Sequence, residues 1–384
     1  MTFQIPLDEG LQYRRRLLDK SRRIVVKVGS AVLTSAAGLN HKVMENLVAQ
    51  LVRLRRENRE IILVSSGAVA AGRKKLALGD KKFTLKEKQA TAAVGQSNLM
   101  RVYEDIFDAY ELRVAQVLLT HDDLSNRNRY LNIRNTIFTL LEWGIVPIIN
   151  ENDTVSVEEL RFGDNDTLGA MVTNMIEAEL FICLTDVEGL FTGNPTVDSM
   201  ARKVYTVARV DRSVEQMAGN VKSALGSGGM MSKIKAAKMV AARGGCSFIG
   251  PGVETDTITR LFSGDEVGTF FLPEQEKMQT RKHWIAYTLR PKGYLLLDQG
   301  ACQALMEGGK SLLPTGVREV RGKFGVGDPV QCLDENERPV AAGLVNYRST
   351  EIDKIKGVHS CMIEKTLGYK DSEEVIHRDN LVIL

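Results

Sequence analysis

Short motifs for metal centres, dinucleotide cofactors and serine nucleophiles are missing from this sequence. The chain has no G-x-G-x-x-G fingerprint, no nucleophile elbow and no cluster of metal-binding histidines. Its five cysteines form no C-x-x-C pair and have no histidine at ligand spacing; they are Cys183, Cys246, Cys302, Cys332 and Cys361. This scatter argues against a structural zinc site and favours isolated thiols in a reducing compartment.

A large net charge and long apolar runs are missing as well. The net charge of +3 over 384 residues gives no argument for nucleic acid or an anionic membrane as the main partner. A hydrophobic content of 43% and a charged content of 26% are typical of a folded soluble protein. SRRIVVK, residues 21–27, resembles a twin-arginine export signal, but Lys27 and Gly29 interrupt the apolar segment and no A-x-A site follows. We therefore expect a cytoplasmic protein without a membrane partner.

The first two-thirds of the sequence alternates apolar strands with amphipathic helices. The patterns predict strands at 24–28, 61–64, 115–119, 146–150 and 180–184, and helices at 42–56, 68–75, 86–109, 130–143, 167–176 and 232–243. Buried strands separated by helices predict an α/β fold, a three-layer sandwich around a mostly parallel central sheet. Ligands of such sheets bind at the carboxyl ends of the strands.

The pattern changes near residue 275. The polar segment PEQEKMQTRKH, residues 273–283, precedes short strands separated by frequent glycine turns. A chain of 384 residues is long for one core, so two domains are expected. The predicted organisation is an N-terminal extension at 1–20, which is a short helix or a flexible lead, an α/β domain at 21–274, a linker at 275–282 and a small β-rich domain at 283–384.

A lysine lies inside the first apolar strand, in the segment VVKVGSAVL. Burying Lys27 costs free energy unless its ammonium group meets an anion, so this residue is a candidate ligand for an anionic substrate. The alternative is a strand edge at which the side chain reaches water.

The next strand ends in the small residues of VSSGAVAAG, residues 64–72. Backbone amides at a glycine turn that leads into a helix can bind a carboxylate or a phosphate, and the hydroxyl groups of Ser65 and Ser66 can assist. The alternative is an ordinary connection in which small residues only provide clearance.

Carboxylate and amide side chains are concentrated in PIINENDTVSVEELRFGDNDTLGA, residues 147–170. Seven of them exceed what helix capping needs; they are Asn150, Glu151, Asn152, Asp153, Asp164, Asn165 and Asp166. Two functions fit this cluster: recognition of the ammonium group of an amino acid, or positioning of Mg²⁺ and cationic side chains around a phosphate. The spacing of an EF-hand calcium loop is absent.

Candidates for a nucleotide site follow a later strand. Thr185 and Asp186 end the buried strand of CLTDVEGLF, at the usual place for a loop that contacts a nucleotide. GSGGMMSKIKAA then places glycines 226, 228 and 229 before a helix that carries Lys233. The segment is not a P-loop, yet a glycine segment with a lysine can close over phosphates; the alternative is a surface turn before a basic helix.

Two lysines, several glycine turns and a carboxylate cluster thus all fall at strand ends. This combination favours phosphoryl transfer, in which a protein mainly positions two anions and neutralises their charge. Cations are needed because two unit charges 4 Å apart repel by roughly 4 kcal/mol at an effective dielectric constant of 20.

Seven segments occur in an order and spacing that resemble the amino acid kinase family, and within it the glutamate 5-kinase branch. They are VVKVGSAVLT, VSSGAVAAGR, AAVGQSNLM, VPIINENDTV, FGDNDTLGA, LTDVEGLFT and GSGGMMSKIKAA. The resemblance covers almost the whole chain from about residue 22. SLLPTGVREVRGKFGVGDPV, residues 311–330, resembles a PUA domain, which many bacterial members carry after the kinase domain.

The resemblance implies an amino-acid kinase fold followed by a PUA barrel. It implies ATP-dependent phosphorylation of the L-glutamate side-chain carboxylate to L-glutamyl 5-phosphate, the first step of proline biosynthesis, with Mg²⁺ accompanying the nucleotide. It also implies feedback inhibition by proline, a dimer or tetramer, and hand-over of the product to glutamyl phosphate reductase.

The resemblance also assigns site residues position by position. Lys27 and Lys233 match lysines that stabilise the transferring phosphoryl group, and Asp166 is expected to orient them and the substrate. Ser66, Asp153 and Asn165 match glutamate-binding positions. The nucleotide positions are Lys27, Thr185, Asp186, Ser227, Gly228, Gly229, Met230, Met231, Ser232 and Lys233. No side chain is assigned as a metal ligand.

Two alternatives stay open. Another reaction of the same family, on acetylglutamate, aspartate, carbamate or uridylate, fits the bare spacing equally well. PUA domains elsewhere bind RNA, so the tail is also compatible with an RNA-binding or RNA-modifying protein. Residues 281–384 contain 15 Lys and Arg against 14 Asp and Glu, whereas an RNA-binding surface usually has a basic excess. We therefore expect no RNA partner and a structural or regulatory role for this domain.

Overall fold

A computed structural model describes residues 5–35, 38–79, 83–155, 165–219, 229–274, 278 and 280–384. The chain divides into two compact units, Met1–Lys277 and Met278–Leu384. The predicted α/β sandwich and the predicted β-rich tail are both confirmed. Among the described residues, no helix is long and apolar enough to cross a membrane.

The described part of the first unit has ten strands, of which eight form one large sheet and the other two pair only with each other. Its strands are β1 (Arg23–Val28), β2 (Thr34–Ser35), β3 (Gly38–Leu39), β4 (Glu60–Ser65), β5 (Val114–Leu119), β6 (Val146–Glu151), β7 (Leu180–Thr185), β8 (Thr206–Val207), β9 (Cys246–Pro251) and β10 (Thr269–Phe271). Its helices are α1 (Leu7–Lys20), α2 (Ser30–Leu33), α3 (His41–Arg56), α4 (Ala68–Lys75), α5 (Leu85–Asp108), α6 (His121–Ser125), α7 (Arg127–Glu142), α8 (Asn165–Met175), α9 (Arg212–Ala218), α10 (Met230–Ala241) and α11 (Thr257–Ser263).

The strand order of the large sheet is β5-β6-β4-β1-β7-β9-β10-β8. All neighbouring strands in it are parallel except β9 and β10, which are antiparallel. Almost every residue of β1, β4, β6, β7 and β9 is buried. Because successive side chains of a strand point to opposite faces, helices must cover both faces of this sheet.

Strand register brings several polar residues together where the parallel strands have their carboxyl ends. Val28 pairs with Ser65 of β4, and Lys27 pairs with Cys183 of β7. Helix α8 packs closely on this region, because a Cβ atom at Gly169 would come within 2.6 Å of the Phe181 ring and 3.4 Å of Lys27 Cβ. The N-terminal half of α8 therefore packs on β1 and β7 at Lys27 and Phe181.

Gly72, the last residue of the segment VSSGAVAAG, has a packing role that the sequence did not indicate. A Cβ atom at Gly72 in α4 would lie 1.9 Å from the Thr91 carbonyl oxygen, and one at Gly95 in α5 would lie 1.7 Å from the Ala68 carbonyl oxygen. The two helices thus cross at backbone contact. Gly67, which precedes α4, has φ 102°, a conformation that favours glycine.

The N-terminal extension contains a helix that packs on the first unit. Arg14 of α1 is 1% exposed, and its guanidinium group donates to the carbonyl oxygens of Val267 at 3.2 Å and Leu261 at 3.4 Å. The same group lies 5.7 Å from the centroid of the Phe248 ring. These contacts tie α1 to β9, to α11 and to the segment that leads into β10.

The second unit contains a smaller sheet with the order β12-β11-β13-β14-β15. Its elements are α12 (Thr280–Tyr287), β11 (Gly293–Leu297), α13 (Gln299–Gly308), β12 (Val317–Gly322), β13 (Pro329–Leu333), β14 (Pro339–Leu344), α14 (Ser349–Ile355), α15 (Ile363–Leu367) and β15 (Leu381–Ile383). A separate apolar core that includes Leu295, Cys332 and Tyr347 holds the unit together.

Candidate active site

Two lysines from distant parts of the chain meet at one carboxylate. Lys27 Nζ on β1 lies 2.5 Å from Oδ1 of Asp166, and Lys233 Nζ on α10 lies 3.0 Å from Oδ2 of the same residue. Asp166 occupies the first turn of α8. Lys27 does not reach water at a strand edge: β1 is an inner strand, and the lysine is 5% exposed.

This group of three residues carries more positive than negative charge. Burial opposes ionisation of Asp166, but the ammonium groups of Lys27 and Lys233 outweigh burial and hold the pKa of Asp166 below its ordinary value. The carboxylate is therefore ionised at neutral pH. One negative and two positive charges leave an excess positive charge that suits an anionic ligand.

Two neutral donors complete the environment of the carboxylate. Ser232 Oγ donates to Asp166 Oδ2 at 2.7 Å, and Cys183 Sγ donates to Oδ1 at 3.3 Å. Burial, together with the adjacent Asp166 charge, raises the pKa of Cys183 to about 12, which keeps this thiol protonated and able to donate. Cys183 was not among the predicted site residues, although its register opposite Lys27 marks it.

Asn165 links the ends of two strands to the start of α8. Its Nδ2 lies 3.0 Å from the Ser65 carbonyl oxygen, 2.9 Å from Ser66 Oγ and 2.9 Å from Asn150 Oδ1. The predicted substrate residues Ser66 and Asn165 are therefore in direct contact. Tyr103 of α5 supports the same turn, because its hydroxyl group lies 2.9 Å from Ser65 Oγ.

A cleft of about 520 Å³ opens beside these residues. It is lined by β5, by α5 and by the segment that follows β6, where the predicted residue Asp153 lies. Gln96 of α5 also lines the cleft, and its Oε1 accepts a hydrogen bond of 2.8 Å from Asn150 Nδ2. Gln96 was not among the predicted site residues. Its only sequence signal is helical spacing from Ala92 and Ala93, which line the same wall.

The predicted nucleotide residues are only partly described. Thr185, the last residue of β7, donates from Oγ1 to Oδ1 of Asp186 at 2.9 Å. Gly229 precedes α10, whose first residues are Met230, Met231 and Ser232. Ser227 and Gly228, like Asp164 of the carboxylate cluster, lie outside the described residues.

Described side chains offer no preformed cage for a metal ion. In the described ranges, no group of three His, Cys, Asp or Glu side chains could hold one. Both oxygens of Asp166 are already bonded to lysines. These residues fit a cation that arrives bound to phosphates, as Mg²⁺ usually does, better than a resident metal.

Comparison with known proteins places this chain in a family. Residues 22–249 match the model of the amino acid kinase family, and residues 293–367 match the model of the PUA domain. The chain is 56% identical over 375 residues to glutamate 5-kinase of Desulfotalea psychrophila, covering 97% of this chain and 100% of that protein. It is 48% identical over 372 residues to glutamate 5-kinase of Geobacter sp. strain M21, with the same coverage of 97% and 100%. With glutamate 5-kinase of Syntrophus aciditrophicus the identity is 46% over 371 residues, covering 97% of this chain and 96% of that protein. This chain therefore belongs to the amino acid kinase family, in the group that contains the glutamate 5-kinases.

Proposed function

We propose that this protein transfers the γ-phosphoryl group of ATP to the side-chain carboxylate of L-glutamate. The products are L-glutamyl 5-phosphate and ADP, and the reaction is the first step of proline biosynthesis. The relatives named glutamate 5-kinase supply the substrate identity, since they match the chain over nearly its full length. The structural observation that carries the proposal is the meeting of Lys27 and Lys233 at Asp166.

The reaction needs no nucleophile from the protein. A glutamate carboxyl group has an ordinary pKa near 4.3, so it is already an anion at neutral pH. One of its oxygens forms a bond to the γ-phosphorus atom while the bond from that atom to the β,γ-bridging oxygen breaks. ADP leaves with the electron pair of the broken bond. The protein has to bring two anions together and stabilise the charge that spreads over the transferring group.

Lys27 and Lys233 are proposed to supply that stabilisation. Both ammonium groups lie in a nearly dry environment, where a charge interaction is stronger than in water. Asp166 is proposed to hold them at a fixed separation until the triphosphate enters. Ser232 and Cys183 keep the carboxylate oriented, because each of its oxygens has one neutral donor besides a lysine.

Glutamate is proposed to bind between the turn after β4 and the cleft. Asn165 directly precedes Asp166 and donates a hydrogen bond to Ser66 Oγ, and Asp153 in the cleft offers a carboxylate for the substrate ammonium group. The nucleotide is proposed to bind at Thr185, Asp186 and the segment 227–233, with Mg²⁺ held mainly by its phosphates.

The proposal includes four features of the protein's setting. Proline is expected to inhibit by competing with glutamate, because the family resemblance implies inhibition through the same pocket region. The protein is expected to act in the cytoplasm as a dimer or tetramer and to hand its unstable acyl phosphate to glutamyl phosphate reductase.

Trapping the acyl phosphate tests the reaction directly. The protein is incubated with ATP, Mg²⁺, hydroxylamine and one candidate acid at a time: L-glutamate, L-aspartate, N-acetyl-L-glutamate or carbamate, with uridylate assayed by ADP release. We expect hydroxamate with L-glutamate at a rate at least ten times that with any other acid. Absence of product with L-glutamate, or a faster rate with another acceptor, would overturn the proposed substrate.

A further inference from the structure

Gln96 joins the site through a chain of amide groups. Asn165 Nδ2 donates to Asn150 Oδ1 at 2.9 Å, and Asn150 Nδ2 donates to Gln96 Oε1 at 2.8 Å. Asn150 is 3% exposed, whereas Gln96 is partly exposed and lines the cleft. The chain of hydrogen bonds therefore begins beside Asp166 and ends at the wall of the cleft.

One backbone N–H group fixes which way the side-chain amides of Asn150 and Gln96 are oriented. The Glu151 N–H donates to the Asn150 side chain at 2.9 Å, and a backbone N–H can only donate. The atom of Asn150 that it meets must be the carbonyl oxygen, so the other atom is the NH₂ group. That NH₂ group faces Gln96, which must present its own carbonyl oxygen in return. The NH₂ group of Gln96 is left for the cleft, and it has no hydrogen-bond partner among the residues that the structure describes.

The position of this NH₂ group decides which end of a substrate it meets. The phosphoryl group must lie near Lys27 on β1 and Lys233, whereas Gln96 is anchored to Asn150 on β6, two strands away. Strands are spaced by about 4.8 Å, so the two places are roughly 10 Å apart. An amino acid that reacts at its side-chain carboxylate near β1 would extend its α-carbon end toward Gln96.

We infer that Gln96 binds the α-carboxylate of the substrate, its Nε2 donating a hydrogen bond to a carboxylate oxygen. This inference rests on the proposed function and adds a selection rule to it. The site accepts amino acids whose α-carboxylate is free and ionised, and it rejects those in which this group is an amide. Asn150 is a positioning residue, because it sets which atom of Gln96 faces the cleft.

The test compares L-glutamate with its α-amide, L-isoglutamine, in the wild type and in Gln96→Glu. The substitution keeps the acceptor for Asn150 Nδ2 but replaces the NH₂ group by an oxygen that repels a carboxylate and accepts from an amide. The rate of hydroxamate formation gives kcat/KM for each compound. If L-isoglutamine reacts too slowly to measure, its inhibition constant in the reaction of L-glutamate is used instead of kcat/KM. We expect kcat/KM for L-glutamate to fall at least tenfold and the preference for L-glutamate over the amide to fall by the same factor or more.

A second variant and a control separate binding from structure. Gln96→Met removes the donor without adding charge, and it should lower the preference for L-glutamate at least fivefold. Gln116→Glu adds the same charge to β5, the edge strand of the large sheet, which also lines the cleft. It should change the preference for L-glutamate over L-isoglutamine less than twofold. An equal fall for both compounds, or an unchanged preference in both Gln96 variants, would overturn the inference. A wild type that forms no hydroxamate with L-glutamate would instead overturn the proposed function.

Discussion

At the scale of single residues, the site depends on the two ammonium groups that share Asp166. We predict that Lys27→Ala and Lys233→Ala each lower kcat by about 100-fold or more, because the charge that they meet is greatest in the transition state. KM for L-glutamate should change less than about fivefold, since a pure transition-state contact leaves ground-state binding intact. Steady-state kinetics with the hydroxamate assay provide both parameters.

A matched control for these variants lies on the same helix. Lys238 of α10 pairs with Glu215 at 2.9 Å and is partly exposed, so Lys238→Ala should keep wild-type kcat. Equal losses in kcat and in glutamate affinity for Lys27→Ala and Lys233→Ala would contradict their assigned roles.

Asp166 also links the site to the stability of the fold. Asp166→Asn leaves two buried ammonium groups without their anion, and we expect it to lower the free energy of unfolding by about 3–5 kcal/mol at pH 7. Because the pKa of Asp166 is lowered in the folded state, its stabilising effect is complete above its unfolded pKa of about 3.9. This stabilisation is lost as the pH falls toward the pKa that Asp166 has in the folded state.

Urea unfolding between pH 3 and pH 8 measures this linkage. The difference between wild type and Asp166→Asn should be constant above about pH 5 and should shrink below about pH 4. A difference that grows on acidification would mean that the carboxyl group is protonated in the folded protein.

Residue types alone indicated part of this site. A lysine inside an apolar strand and a dense acidic cluster marked Lys27 and Asp166, because both residues are costly to bury alone. Asn150 was marked only as a member of the predicted carboxylate and amide cluster, and Gln96 and Cys183 gave no signal, since an amide or a thiol is common in any helix or strand. Their roles depend on strand register and on which groups donate, and those details are decided by packing across the sheet.

At the scale of elements, the crossing of α4 and α5 sets the wall of the cleft. We predict that Gly72→Ala lowers the free energy of unfolding by about 2–3 kcal/mol, because the new Cβ atom would meet the Thr91 carbonyl oxygen at 1.9 Å. This loss should exceed the gain in helix propensity, which is about 1 kcal/mol. Thermal and urea unfolding measure the change.

Gly79→Ala is the control for this helix contact. A Cβ atom at Gly79 would meet nothing within 4 Å, so its effect should stay within about 0.5 kcal/mol. A Gly72→Ala variant as stable as the wild type would show that the two helices separate easily.

Sequence periodicity identified most elements of the first unit because their buried faces repeat regularly. Helix α4 has the predicted bounds, Ala68–Lys75, and predicted strand 61–64 extends by one residue at each end to Glu60–Ser65. Strand β9 and its antiparallel pairing with β10 were not predicted, and neither were the small strands β8 and β10. Such short strands are too brief for a periodic signal, and their pairing depends on contacts between distant parts of the chain.

At the scale of the whole molecule, we expect the second unit not to serve as a nucleic-acid-binding surface. Several of its cations are paired with carboxylates: Arg318 with Glu335, Arg321 with Glu319 and Glu337, and Lys292 with Asp328. We predict no salt-sensitive binding of mixed RNA in a filter assay at micromolar protein. Binding that weakens steeply between 50 and 200 mM salt would contradict this, because release of counterions is the mark of phosphate contacts.

The central claim is that the ammonium groups of Lys27 and Lys233 act on one triphosphate. A crystal structure with Mg²⁺, a non-hydrolysable ATP analogue and L-glutamate measures this directly. We predict that both Nζ atoms lie within about 3 Å of triphosphate oxygens, with the glutamate side-chain carboxylate in line with the γ-phosphorus atom. A triphosphate bound elsewhere, with both lysines still on Asp166 alone, would contradict the account.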